Sequence, residues 1–195
     1  QGLLPPSSVR EAAQRTLGEL LGEYLQDLRA RGRAQTTLDK YESNLRTLFA
    51  ACGWQKLRSV TARDFTRWRS SCGLAPKSLN DTLANARGFF TWLRRQGLAT
   101  ENPLECVGRV DSRLTPRFRR ALSTDEQARL LRAAPPFRRV IYLLILETGM
   151  RRNELQLLKV GDLALDAPAP FVRLPASITK NRKPAVMRLR PHVVA

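Results

Sequence analysis

The sequence predicts a mainly α protein in two parts: an N-terminal four-helix domain, then a mixed α+β domain with a small antiparallel sheet. Three observations carry this prediction. Leucines and aromatics recur at helical spacing in four segments between Thr16 and Gly97. The periodicity then fails between residues 104 and 122, where Arg109, Arg113, Arg117, Arg119 and Arg120 gather around Pro116. After Asp166 the helical pattern gives way to Pro168, Pro170 and short alternating runs. The expected organisation is a tail over 1–15, a helical domain over 16–103, a basic linker over 104–122 and a second domain over 123–195.

Residues 1–14 carry Pro5-Pro6-Ser7-Ser8 and read as a tail that becomes helical only near its end. From Thr16, a capping box with Glu19 opens a helix whose Leu17, Leu20, Leu21, Tyr24, Leu25 and Leu28 face one way until Gly32. Thr36 or Thr37 is expected to cap the second, with Leu38, Tyr41, Leu45, Leu48 and Phe49 inward and a stop at Gly53. Thr61 with Asp64 opens the third, which carries Arg63, Arg67 and Arg69. The fourth begins near Lys77-Ser78, buries Leu79, Leu83, Ala86, Phe89, Phe90 and Leu93, and ends at Gly97.

Beyond the linker, Ser123 and Glu126 form another capping box for a helix ending before Pro135-Pro136. The run from Phe137 to Glu147 reads as a buried core helix, and a further helix is expected from Arg151 to about Val160, stopped by Gly161-Asp162. Phe171 to Leu174 alternates, and Ile178-Thr179-Lys180 is expected to pair with Ala185 to Leu189 across 181–184.

Composition limits the function. The 195 residues hold 34 Lys+Arg against 17 Asp+Glu, a net charge of +17 spread along the chain, which points to a polyanionic partner with nucleic acid foremost. Of the cations 28 are Arg and 6 Lys; a GC-rich genome explains that preference but not the scarcity of acids. Cys52, Cys72 and Cys106 are isolated, so no disulfide framework or zinc site is indicated and a reducing cytoplasm fits. The longest apolar run, Val140 to Leu146, is too short to span a bilayer. Position 1 is Gln, so the sequence reads as a trimmed or internal piece.

The stretch that decides the functional reading is Thr148-Gly149-Met150-Arg151-Arg152-Asn153-Glu154-Leu155. Gly149 ends one helix and the next opens at an arginine pair, which sets a guanidinium where a helix N-terminus also attracts anions. Such a corner suits a phosphate, although an arginine at a helix start is by itself only a solvated charge.

From Leu122 onward, this corner, then Asp162, then Thr179-Lys180 in a hairpin resembles the tyrosine recombinase (phage integrase) family. The first domain is similar to that family's SAM-like core-binding domain, with Thr37 and Tyr41 opening the second helix, Phe89-Phe90 and Trp92-Leu93 in the fourth, then Asn102-Pro103. The resemblance implies a two-domain clamp on duplex DNA, assembly of like subunits as a tetramer on DNA, and strand exchange through a phosphotyrosyl intermediate in the cytoplasm, at the nucleoid. It implies no metal, no cofactor and no external energy source. By position, Arg151 matches the arginine that stabilises charge on the scissile phosphate, Glu154 the supporting acid, and Lys180 the hairpin general acid, with Lys183 competing for that assignment. Glu154 reads equally as an ion pair holding Arg151.

The family's later His-x-x-Arg motif and nucleophilic Tyr have no match before Ala195. His192 is followed by Val193-Val194, and Tyr24, Tyr41 and Tyr142 lie on apolar helical faces. The chain alone is therefore expected not to cleave DNA. If the first domain clamps DNA, Thr36, Lys40, Lys77, Asn80 and Arg87 are placed opposite the apolar faces of its second and fourth helices. Two other readings are a non-catalytic DNA-binding competitor or regulator derived from a recombinase, and a basic RNA-binding protein. The last gives no reason for the corner and hairpin to occur together.

Overall fold

Thr16 behaves as its sequence context requires: its hydroxyl accepts the Glu19 N–H at 3.2 Å while the Glu19 carboxylate accepts the Thr16 N–H at 2.7 Å. These two bonds satisfy donors that a helix start would otherwise leave orphaned. The structure, a computed structural model, describes residues 5–111 and 120–194. The chain divides into two units, Gln1–Arg117 and Phe118–Ala195.

In the first unit, α1 (Ser7–Gln14) precedes four longer helices: α2 (Leu17–Ala30), α3 (Gln35–Cys52), α4 (Ala62–Ser71) and α5 (Pro76–Arg95). The leucine stripe of α2 meets Leu45, Leu48 and Phe49 of α3 and Phe89, Phe90 and Leu93 of α5 in one core. Tyr24, Phe89 and Trp92 pack as tilted rings, with centroids 5.6 Å apart for Tyr24–Phe89 and 5.4 Å for Tyr24–Trp92. Asn44 bridges α3 to α5, donating to the Thr82 hydroxyl at 2.9 Å and accepting from Asn85 at 3.2 Å.

Three expectations for this unit change. Much of the tail is helix α1, because Ala12 is buried and the Ser8 hydroxyl reaches the Gly97 carbonyl at 2.9 Å. Helix α3 starts at Gln35, with Ala34 in the cap position and no side-chain cap bond; Thr36 and Thr37 lie inside the first turn. Finally, the expected linker does not begin at Leu104. Leu104 and Val107 are core residues, so the backbone from 102 to 110 is strapped along α5. Arg113, Arg117 and Arg119 lie outside the described residues.

The second unit comprises α6 (Thr124–Ala133), α7 (Pro136–Thr148), α8 (Arg152–Leu157), a 3-10 turn (Val160–Asp162), strands β1 (Leu163–Ala164), β2 (Phe171–Leu174) and β3 (Ala185–Arg188), and α9 (Pro191–Val194). The sheet runs β1-β2-β3, all antiparallel, with Phe171 opposite Arg188 and Leu174 opposite Ala185. Val172 and Leu174 point inward, where they pack with Leu144, Met150 and Leu189.

Here too the structure corrects the expectation. The hairpin is β2 with β3, not 178–180 with 185–189: Pro175 closes β2, and Lys180 sits in the connecting loop. Helix α8 stops at Leu157 rather than Val160. The α7 run is not a fully buried helix either; Leu144 is its one buried residue, while Phe137 is 78% exposed and Val140 59%.

Candidate nucleic-acid interface

The corner after α7 is built from three local devices. Gly149 adopts φ 63°, the left-handed conformation that lets the chain leave a helix, and donates its N–H to the Ile145 carbonyl at 2.8 Å. Thr148 accepts the Met150 N–H at 3.3 Å, and Met150 is 4% exposed, pinning the corner to the core. Arg151 then occupies the cap position of α8 with extended backbone, its side chain 65% exposed.

Glu154, 3% exposed, lies beneath it. One carboxylate oxygen accepts the Arg151 backbone N–H at 2.8 Å and the other accepts Arg151 Nη1 at 2.8 Å. The Glu154 carboxyl is held below its ordinary range chiefly by the Arg151 backbone N–H, then by its guanidinium, with burial opposing and the nearby Lys180 N–H adding least. Glu154 thus holds the arginine corner and lies near the hairpin loop, two segments far apart in sequence.

The α8 start differs from the expected anion-attracting terminus. The helix is only six residues long, and its cap N–H is already taken by Glu154. What an incoming anion meets is the exposed Arg151 guanidinium.

The loop carrying Lys180 is shaped from within. Thr179 is 8% exposed, and its hydroxyl lies 2.8 Å from the Lys183 carbonyl and 3.2 Å from that of Ala176. Arg182 adopts φ 55° and donates its N–H to the Thr179 carbonyl at 3.1 Å. Lys180, Arg182 and Lys183 are all exposed. Lys180 is the lysine whose backbone N–H lies near Glu154; Lys183 lies across the turn, beside Pro184.

The positions expected to face DNA in the first unit divide into two groups. Thr36 and Lys40 on the first turns of α3 and Lys77 on the first turn of α5 are exposed, and Lys77 has only a long 3.9 Å contact to Asp81. Asn80 and Arg87 are committed inward instead. Asn80 donates to the Val110 carbonyl at 2.8 Å and accepts the Val110 N–H at 2.9 Å. Arg87 donates to the carbonyls of Leu104 at 2.9 Å and Glu105 at 2.6 Å, and to that of Val107. Their polar atoms hold the strap, which leaves them unsuited to reading base edges.

Asn102, whose Asn-Pro pair marked the end of the helical domain, anchors the other end of this strap. It donates to the Arg87 carbonyl at 3.1 Å and the Thr91 hydroxyl at 3.0 Å. Glu147 and Arg190 went unnoticed in the sequence; they are 43 residues apart and form a bidentate pair, with Nη2 to Oε2 at 2.7 Å. No local spacing rule finds such a pair.

The chain is similar to several known proteins. Residues 21–97 match the family described as "Phage integrase, N-terminal SAM-like domain". Tyrosine recombinase XerC of Xylella fastidiosa (strain M23) is 30% identical over 148 residues, covering 70% of this chain and 50% of XerC. Tyrosine recombinase XerD of Xanthomonas campestris pv. campestris is 30% identical over 166 residues, covering 78% of this chain and 48% of XerD. The chain therefore spans about half the length of these curated relatives. Among solved structures, a lambda integrase tetramer bound to a Holliday junction aligns with a TM-score of 0.75 at 19% identity, covering 98% of this chain and 57% of that one. Among the described residues no helix is long and apolar enough to cross a membrane.

Proposed function

Since the chain belongs to the tyrosine recombinase (phage integrase) family, we propose that it binds duplex DNA and supplies Arg151 and Lys180 to site-specific strand cleavage and rejoining. The observation that carries this reading is the buried Glu154 carboxylate, which fixes an exposed guanidinium by two bonds and lies close to the lysine-bearing loop. A preorganised cation of this kind is worth most where phosphorane charge develops; removing one comparable donor costs about a hundred- to a thousandfold in rate. Lys180, rather than Lys183, is assigned as the general acid toward the leaving 5′ oxygen, because its backbone is the one that lies near Glu154 and so near Arg151.

None of the three tyrosines stands with these groups as a nucleophile. Tyr24 is buried in the first unit's core, Tyr41 packs against that core, and Tyr142 is half-buried on α7. On this reading the chain binds DNA and none of the three tyrosines forms the phosphotyrosyl bond; like subunits on DNA take part in the reaction. In the first unit, Thr36, Lys40 and Lys77 are the positions we assign to phosphate contact.

The test is binding of the chain to duplex DNA across salt concentrations. Each phosphate neutralised contributes a log–log slope of about −0.9; Arg151→Ala and Lys180→Ala should each flatten the slope by about that amount. A slope that stays flat near zero in the unsubstituted protein would overturn the DNA reading. A covalent adduct with a nicked suicide substrate would overturn the absence of a nucleophile.

A further inference from the structure

The hairpin that carries Lys180 is fixed at its base as well as by the bonds within its loop. At its base, directly after β3, Arg190 forks onto Glu147 in the last turn of α7, with Nη2 2.7 Å from Oε2 and Nε bonded to Oε1. The Glu147 side chain is 9% exposed and that of Arg190 71%, so a buried carboxylate sits under a solvent-facing guanidinium. Neighbouring bonds fix the same junction. Leu189, 5% exposed, donates its N–H to the Pro170 carbonyl at 2.8 Å, and Val193 of α9 donates to the Arg190 carbonyl at 3.0 Å.

Glu147 precedes Arg151 by four residues, across the Gly149 corner. The α7 end that presents Arg151 therefore also grips the base of the Lys180 hairpin, whose loop is closed on itself by the Thr179 hydroxyl and the Arg182 N–H. A hairpin loose at its base can pivot as a whole; gripped there, with its loop closed, it is a fixed arm. We propose that Glu147 and Arg190 are positioning residues that set where Lys180 stands relative to Arg151 on a bound phosphodiester, an inference that rests on the recombinase reading above.

Stability alone does not account for the pair. The Arg190 side chain is 71% exposed, and an ion pair with so exposed a partner contributes little to stability. A two-bond guanidinium–carboxylate fork instead fixes orientation, which a lysine at the same place does not. Attraction to Glu147 keeps the Arg190 guanidinium firmly charged.

The test is a double-mutant cycle on duplex DNA affinity, using the full chain. Lys180→Ala is measured alone and with Glu147→Met plus Arg190→Met, which removes both charges and leaves no buried carboxylate unpaired. The expected result is that Lys180→Ala weakens binding by a factor at least about threefold larger in the unsubstituted background than in the Met pair, the lower range of coupling for residues sharing a network. Arg190→Lys should not restore it. Amide exchange at Lys180 and Arg182 is followed alongside and should accelerate in the Met pair while the α7 amides stay protected. Equal factors in both backgrounds, with unchanged exchange in the loop, overturn the proposal and leave the DNA reading intact. If Lys180→Ala has no effect on binding in either background, the DNA role assigned to Lys180 is what fails. Loop exchange then decides the arm: acceleration supports it and no change refutes it.

Discussion

Replacing Glu154 should separate support from contact. In Glu154→Gln the amide oxygen can accept one of the N–H groups now shared between two oxygens, but its NH2 turns a second donor toward the Arg151 guanidinium. At least one charge-assisted bond at 2.8 Å is lost from a site that is 3% exposed. Bonds to charged groups contribute about 1.5–3 kcal/mol each, so the second unit should lose about 2–3 kcal/mol. Arg151→Ala removes an interaction made by a side chain that is 65% exposed and leaves the carboxylate its backbone donor. That loss should stay near about 0.5–1 kcal/mol, as for exposed pairs. Denaturant unfolding measures both. For DNA binding the proposed function reverses the order, since it makes Arg151 the group that meets phosphate.

The pH dependence supplies an independent check on the same residue. The Glu154 carboxyl is lowered from its ordinary 4.5 in the folded protein. Its stabilisation is therefore complete above that value, where the unfolded carboxyl is also ionised, and is lost as pH falls through the lowered folded value. The stability difference between the wild type and Glu154→Gln should shrink on acidification below the ordinary value. Parallel curves, or a Gln variant within about 0.5 kcal/mol of wild type at neutral pH, the scatter expected of a neutral surface change, would refute the reasoning.

Three further outcomes follow from the same geometry. Arg87→Ala should cost the first unit about 2–4 kcal/mol by denaturant unfolding, because backbone carbonyls along the strap lose a charged donor, and Arg87→Lys should recover little of it. Thr16→Ala should cost about 1 kcal/mol through loss of the cap, read as a small drop in melting temperature. Burial, reinforced by Asp64, pushes the Cys52 thiol up to about 11, so thiol-reactive probes near neutral pH should label exposed Cys106 well before Cys52; mass spectrometry of timed digests reads the order.

The first unit was nearly all legible in the sequence because its determinants are local. Caps such as Thr16–Glu19 and Thr61–Asp64 lie within four residues, and the leucine stripe of α2 repeats along a single helix. What escaped was held by side chains reaching to distant backbone. Arg87 looks like an outward basic residue on any helical wheel, and only the path of residues 104–107 shows that its donors are already used. The strap itself looked like linker because its order comes from Asn80, Arg87 and Asn102 and not from any periodicity of its own.

The second unit shows the same limit at the site. Order and spacing in the sequence single out Arg151 and Lys180, yet which lysine lies nearer Arg151 depends on the fold of the loop near Glu154, to which local sequence is indifferent. Glu147 and Arg190 carry no signal at all, since any Glu ending a helix and any Arg after a strand would read the same. A sequence pattern can therefore name the groups proposed to meet the phosphate, while the groups that hold them in place emerge only once the chain is folded. On this argument Arg151 and Lys180 are best tested by substitution in DNA binding, and Glu154, Glu147 and Arg190 by the coupling they impose between those two.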